Sequence, residues 1–542
     1  MKKRRLSFGS IYRGCDGQLR EGHSMILGDV FERNARCFGS HPALLFEGRT
    51  ITHGDLFGRV TKLINALAAL GCKRQDRIAV LSRNCPEYLE VYAAAALGGF
   101  VGLGLNYRLS MTEQAGILTD AQPAVFIFEM EYAQRAQELR QHLPADVHLI
   151  CFDGASPGAL DYEAMLAGAP TGDAAFRARE DDTVLLIYTS GTTGVPKGVM
   201  LGNEGQLEQA RTQALSHAAV QTDRMLIVMP FYHIGGPTEL LSYLVVGATI
   251  VLHRTFDAAA ILQSIESLRV TSAHLAPTMI TMMLEVQEKT PYDLSSLHTV
   301  CYASAPMPVA LSLRARAVFG PIFMQIYGMT EAGLGTTLLK HQHILEGTQA
   351  QTKRLASAGQ AYLGTELKII ADDGRECAAG EVGEVCMRSK SVMQGYWRKP
   401  EATAEAVRTG FLRTGDMGFL DDENFLFIVD RKKDMIISGG ENIYSREVEE
   451  ALLMHPAVSE VAVVGAPDEK WGESVAAVVV CKAGASVTRE ELIEHCRQLI
   501  AGYKRPKIVK FVGEMPRVPS TNKIDKRALR APFWANQARQ VS

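Results

Sequence analysis

Tyr188-Thr-Ser-Gly-Thr-Thr-Gly-Val-Pro-Lys-Gly-Val199 follows directly on the apolar run Val184-Leu-Leu-Ile187. An apolar stretch giving way to glycine and hydroxyl residues reads as a buried strand running out into a polar loop. Glycines let successive peptide N–H groups turn to one side, serine and threonine hydroxyls add donors, and a lysine adds charge. That is the chemistry of a polyphosphate cradle. A solvated linker would not hold Pro196-Lys197 and then resume with the apolar Val199-Met-Leu201. The candidate phosphate contacts are Thr189, Ser190, Gly191, Thr192, Thr193, Gly194 and Lys197. The loop is not of the Gly-x-x-x-x-Gly-Lys-Ser/Thr type, because Pro196 precedes Lys197 and Gly198 follows it.

The 542 residues exceed what one core holds, so at least two domains are expected. Hydrophobic residues make up 47% and charged ones 22%, with a net charge of −3. That composition suits a globular chain and gives no global attraction to nucleic acid or an anionic membrane. Lys2-Lys3-Arg4-Arg5 leads into Leu-Ser-Phe-Gly-Ser rather than an apolar segment, so no signal peptide is expected. The longest apolar runs, 92–105 and 240–252, are too short for a membrane span. Ten scattered cysteines without a Cys-x-x-Cys pair argue against zinc and against a disulfide scaffold. A reducing compartment, the cytoplasm, is the expected location, and the C-terminal Gln-Val-Ser542 is not a peroxisomal signal.

Strand-like runs alternate with amphipathic helices over the first 400 residues or so: 77–82 before 86–97, 124–128 before 132–143, and 249–252 before 257–268. Such alternation predicts stacked α/β layers with largely parallel sheets. The charged cluster Asp430-Arg-Lys-Lys-Asp434 then introduces a compact α+β pattern: helix 445–454, strands 458–464 and 474–481, helix 489–501. The expected fold class is α/β, with a large N-terminal domain (1–430) of stacked α/β layers and a small mobile α+β C-terminal domain (434–542). The hinge is placed at 431–433.

The spacing of the 188–199 loop resembles the phosphate loop of the adenylate-forming superfamily, which comprises acyl-CoA synthetases, luciferases and peptide-synthetase adenylation domains. Further matches carry the resemblance over most of residues 25–530. Such enzymes join a carboxylate to the α-phosphorus of ATP, and two anions must be neutralised in line for that to happen. The resemblance implies the parts. In Tyr327-Gly-Met-Thr-Glu331, Thr330 would bond the α-phosphate and Glu331 would hold Mg²⁺, a hard ion suited to oxygen ligands. Gln325, Tyr327, Gly328 and the small residues Ser304, Ala305 and Pro306 would border the adenosine. Asp416, in Thr414-Gly-Asp416, would take the ribose hydroxyls, with Arg431 as a second contact. His233, in Phe231-Tyr-His233-Ile-Gly235, would gate the carboxylate end of the acid pocket. Lys523, in the terminal motif 515–526, would bridge the carboxylate and α-phosphate oxygens, with Lys526 as the competing assignment. Asn522 stands before Lys523 where the family usually has Gly, and Asn tolerates the left-handed backbone better than most residues.

Lys433 matches the family's hinge position, about which the C-terminal domain swings between adenylation and thioester formation. The segment Ile437-Ser-Gly-Gly-Glu-Asn-Ile-Tyr-Ser445, with Gly439, Gly440 and Glu441, resembles that of acyl-CoA synthetases and implies CoA as the second substrate. Luciferases typically have Lys-Gly in place of its Gly-Gly, and no carrier domain is expected after Lys523. The activity implied is an AMP-forming acid–CoA ligase using ATP, Mg²⁺ and CoA. Homodimers are common in the family. Candidate pocket residues are His233, Ile234, Gly235, Met279, Ala303, Gly328, Leu334 and Gly335. They are mostly small or apolar and imply a fatty, alicyclic or aryl acid. Two alternatives stand beside this: an acyl-AMP ligase that loads a carrier protein, and a non-catalytic nucleotide- or acyl-binding relative.

Overall fold

The computed structural model describes residues 12–13, 19–20, 25–189, 196–303, 307–439, 441–518 and 523–535. Besides a two-stranded ribbon near the N-terminus, the described strands form four sheets. The first has eight strands. Its centre is parallel, with Arg77–Leu81 flanked by Val101–Gly104 and Val125–Phe128. Thr183–Thr189 adds parallel to Val101–Gly104, and Lys197–Gly202 returns antiparallel. The second sheet has nine strands, with Thr249–Leu252, Arg224–Ile227, Ser272–Leu275, Thr299–Tyr302 and Phe323–Met329 parallel in that order.

These strands read as short apolar runs because both faces of each sheet are covered. The helix Pro86–Gly98 is buried on nearly every side, as a helix sandwiched between layers must be. Its Leu89, Ala93 and Ala96 share one core with Val80 and Ile127 of the first sheet and with Met225, Ile227 and Ile250 of the second. The expected helix at 132–143 is a single α-helical segment, Ala133–Leu139, between two 3₁₀ turns. Pro144 disfavours helical backbone at Leu143, which is extended.

A third sheet, of five strands, packs on this pair and ends with the strand Leu426–Arg431 paired to Phe411–Leu420. The fourth begins at Ile436–Ser438 and is built round the long hairpin of Val458–Asp468 with Gly472–Cys481. The helices Ser445–Leu453 and Arg489–Arg497 cover it, giving it a core of its own that includes Val448, Leu452, Val463, Ala477, Val479 and Leu492. The fold is thus mixed α/β, with a large N-terminal domain and a smaller C-terminal one. Among the described residues no helix is long and apolar enough to cross a membrane.

Candidate active site

Thr183–Thr189 and Lys197–Gly202 form an antiparallel pair whose last register partners are Thr189 and Lys197. Ser190, Gly191, Thr192, Thr193 and Gly194 lie outside the described residues, as do Ser304, Ala305, Pro306, Gly440 and Asn522. Thr189 Oγ1 donates to Glu331 Oε1 at 3.2 Å, and the Tyr396 hydroxyl donates to the same oxygen at 3.3 Å. Tyr396 belongs to the short strand beside Lys197–Gly202, and Lys197 Nζ lies 5.0 Å from its ring centroid. Glu331 is buried and has no ion pair among the described residues. Two hydroxyl donors orient its carboxylate without neutralising it, which suits a hard divalent cation.

Thr330 and Glu331 occupy the turn between Phe323–Met329 and Gly333–Leu338, where Met329 pairs with Gly333. A Cβ on Gly328 would stand 2.2 Å from the Gly333 carbonyl oxygen, so this hairpin closes only over glycine. Gln325 and Tyr327, two residues apart, share a strand face. The Tyr302 hydroxyl donates to Gln325 Oε1 at 3.2 Å. The Tyr327 hydroxyl donates to Asp416 Oδ2 at 2.7 Å. Burial, then the Asp416 charge, holds the Tyr327 phenol well above its ordinary pKa, so it stays a donor. Asp416 faces Arg431 across the Phe411–Leu420 and Leu426–Arg431 pair, with Arg431 Nε 3.1 Å from Asp416 Oδ1. Both oxygens of the Asp416 carboxylate are therefore fixed.

His233 precedes the helix Gly235–Leu244, and its Nδ1 accepts the Gly235 N–H at 3.2 Å. With Nδ1 an acceptor, the neutral ring carries its proton on Nε2. Burial first, then the charge of Lys523, pulls the His233 pKa down to about 4. Lys523 comes close enough for its charge to act on this ring. Its side chain is solvent-accessible but deep among protein atoms, and this burial together with the Arg431 charge lowers its pKa, while Asp416 raises it. Lys526 goes elsewhere: its Nζ lies 2.7 Å from Glu449 Oε1 and donates to Ser445 Oγ at 2.6 Å.

The described contacts thus fall into two groups: Thr189, Lys197 and Glu331 around Tyr396, and His233, Lys523, Arg431 and Asp416, of which Lys523 comes from the C-terminal domain. Gly439 and Glu441 stand at the turn of the hairpin Ile436–Ser438 and Glu441–Ile443. Gly439 has φ +62, and a Cβ there would meet the Trp471 ring at 2.5 Å. Lys433 is exposed between the third and fourth sheets. Of the expected pocket residues, Met279 packs against the core under Ser272–Leu275 and Thr299–Tyr302. The sequence reading missed Tyr396, which is 65 residues from its partner Glu331 and carries no local signal. It also missed Glu239, one helical turn beyond Gly235. An acid set directly before the apolar pair Leu240-Leu241 was the available sign.

Two family models match the chain: that of AMP-binding enzymes over residues 31–397, and that of the AMP-binding enzyme C-terminal domain over residues 447–522. An indoleacetate–CoA ligase of Aromatoleum aromaticum is 37% identical over 91% of this chain and 95% of its own length. A feruloyl-CoA synthase of an Amycolatopsis species is 37% identical over 94% of this chain and 99% of its own. Among solved structures, the o-succinylbenzoate CoA synthetase of Bacillus subtilis, in complex with its acyl-adenylate intermediate, superposes with a TM-score of 0.81 at 31% identity. It covers 94% of this chain and 98% of that one.

Proposed function

The chain belongs to the AMP-binding enzyme family, in its acyl-CoA synthetase branch of AMP-forming acid–CoA ligases, and we propose from that premise how its own residues divide the work. One juxtaposition supports the reading: Arg431 faces Asp416, the charges of both act on Lys523, and that of Lys523 acts on His233.

In the first step the acid's carboxylate attacks the α-phosphorus of ATP, an O–P bond forms, and the α–β bond breaks to release pyrophosphate. Thr189, Lys197 and the residues of the 190–194 segment cradle the β- and γ-phosphates. Glu331 would hold Mg²⁺ with the phosphate oxygens; when bound, that ion supplies charge neutralisation of the triphosphate. Asp416 would take the ribose hydroxyls with Arg431 as the second contact, while the Tyr327 hydroxyl keeps the Asp416 carboxylate in place. Gln325, Gly328 and the 304–306 segment border the adenine. Lys523 would lie between the two anions that must meet, its ammonium offsetting the charge that builds on the carboxylate and α-phosphate oxygens. His233, neutral at physiological pH, limits the pocket at the carboxylate without adding a charge.

In the second step the CoA thiol sulfur attacks the acyl carbon, the thiol gives up its proton, and the C–O bond to AMP breaks. No protein nucleophile is needed. Rotation about residues 431–433, with Lys433 at the pivot, would withdraw Lys523 and admit the thiol beside Gly439, Gly440 and Glu441. The acid is aryl, alicyclic or fatty.

The deciding experiment incubates the enzyme with ATP, Mg²⁺, CoA and a panel of carboxylic acids, and follows AMP, pyrophosphate and thioester. Stoichiometric acyl-CoA is expected for at least one acid. AMP release without thioester, restored by a carrier protein's phosphopantetheine, would replace the reading with the acyl-AMP ligase.

A further inference from the structure

Behind His233 lies a cluster of buried polar groups that adenylation does not use. Glu239 follows Gly235 by four residues on the helix Gly235–Leu244, so the two share a face about 6 Å apart along the axis. Gln213, on the helix Asn203–His217, donates its Nε2 to Glu239 Oε1. His274 Nδ1 is 4.0 Å from Oε1 and His217 Nδ1 is 3.9 Å from Oε2, both beyond hydrogen-bond reach. Glu239 Oε2 and Gln213 Oε1 have no hydrogen-bond partner among the described residues, and the His274 ring makes no side-chain hydrogen bond and faces the Gly235 backbone. These side chains are at most 4% exposed. Buried polar groups normally come paired, because desolvating one without a partner is costly. This cluster is built to receive something.

Its position says what. The site a Cβ would take on Gly235 lies 3.5 Å from His233 Nδ1 and 3.4 Å from His274 Cε1. Gly235 therefore stands between the ring that borders Lys523 and the ring that borders Glu239. An acid whose carboxylate sits at His233 and Lys523 meets Glu239 about one helical turn further on, the span of a six-membered ring with a substituent opposite its carboxyl-bearing carbon.

Resting on the acid–CoA ligase reading, we propose that the preferred acid is an aryl or alicyclic acid bearing a hydroxyl on its far side, held by Glu239 and Gln213 with His274 as the third partner. A hydroxyl donates one hydrogen bond and accepts others, and the cluster offers an acceptor at Gln213 Oε1 and groups able to donate or accept at the Glu239 carboxyl and at His274. An ammonium would require an ionised carboxylate. Burial instead raises the Glu239 pKa to about 8, with Gln213 opposing, and lowers His274 to about 4 and His217 to about 3.

The test compares kcat/KM for matched acids, para-hydroxybenzoate against benzoate and para-hydroxycinnamate against cinnamate, with para-aminobenzoate as a third arm. It uses the full chain and the variants Glu239→Leu and Glu239→Gln. The expected result is a preference of roughly ten- to a hundred-fold for the hydroxy acid, abolished in Glu239→Leu and partly kept in Glu239→Gln. A ratio measured within one variant does not depend on how much of it is folded. Equal rates for both members of each pair, a ratio unchanged in Glu239→Leu, a preference for the amine, or stoichiometric zinc on His217, Glu239 and Cys301 by elemental analysis would each overturn the inference alone. Absence of AMP and pyrophosphate with any acid would overturn the ligase reading and this inference with it.

Discussion

Lys526 Nζ lies 2.7 Å from Glu449 Oε1, inside the C-terminal domain. The Glu449 carboxylate also accepts the Val463 N–H at 2.8 Å, which ties helix Ser445–Leu453 to the strand Val458–Asp468. Lys523, three residues earlier, comes instead within reach of the charges of Asp416 and Arg431 and acts with its own on His233. The two lysines of the terminal motif therefore do different things.

Replacing them separates the roles. Lys523→Ala is expected to slow acid-dependent ATP–pyrophosphate exchange roughly 100-fold or more and to leave the melting temperature unchanged. Lys526→Ala strands the Glu449 carboxylate and should lower the melting temperature by several degrees with a smaller effect on exchange. Equal rate losses in the two variants would remove the assignment of Lys523.

Glu331→Gln keeps an oxygen for the Thr189 and Tyr396 hydroxyls but removes the charge. The Mg²⁺ concentration for half-maximal exchange should rise by about tenfold or more, while KM for the acid moves little. A Mg²⁺ titration that superposes on the wild type would show that this carboxylate does not hold the ion.

Asp430 connects the two domains: its carboxylate accepts the Ser445 N–H, and the Ser445 hydroxyl at 3.1 Å. If the chain pivots just after it, these bonds exist in only one arrangement. Asp430→Asn should then depress pyrophosphate exchange several-fold and spare thioester formation from synthetic acyl-AMP. Parallel loss of both half-reactions would mean that Asp430 serves the fold alone.

Glu239 gives a pH signature. Its folded pKa of about 8 lies above the ordinary carboxyl value of 4.5. Between those values the folded chain keeps a proton that the unfolded chain has released, so stability falls as pH rises through that window. The buried His274, near 4 against an ordinary 6.5, acts at the other end, and its contribution is lost as pH falls below about 6.5. Thermal melts between pH of about 6 and about 9 should drop more steeply for the wild type than for Glu239→Gln; identical slopes would exclude Glu239 as the titrating group.

Much of this was legible along the chain because it is local. The apolar run 184–187 ending in glycine and hydroxyl residues needs only period and composition to be read as strand and loop, and the structure pairs its two sides at Thr189 and Lys197. Gly328 is demanded by its own hairpin, where it packs against the Gly333 carbonyl. Tyr396 was invisible for the opposite reason: its hydroxyl matters only because the strand it belongs to pairs beside Lys197–Gly202. The choice between Lys523 and Lys526 likewise depended on which way each side chain leaves one short segment.

The order of strands and helices follows from periodicity and residue type, which neighbouring residues settle among themselves, and the motifs carry the family resemblance that implies adenylating chemistry. Substrate character follows from neither. Gln213, Glu239 and His274 lie on two helices and a strand that meet only after both large sheets have closed over them. Whether an acid in an apolar helix is a buried pocket wall or a solvated surface group depends on what covers it, and burial is a property of the packed chain.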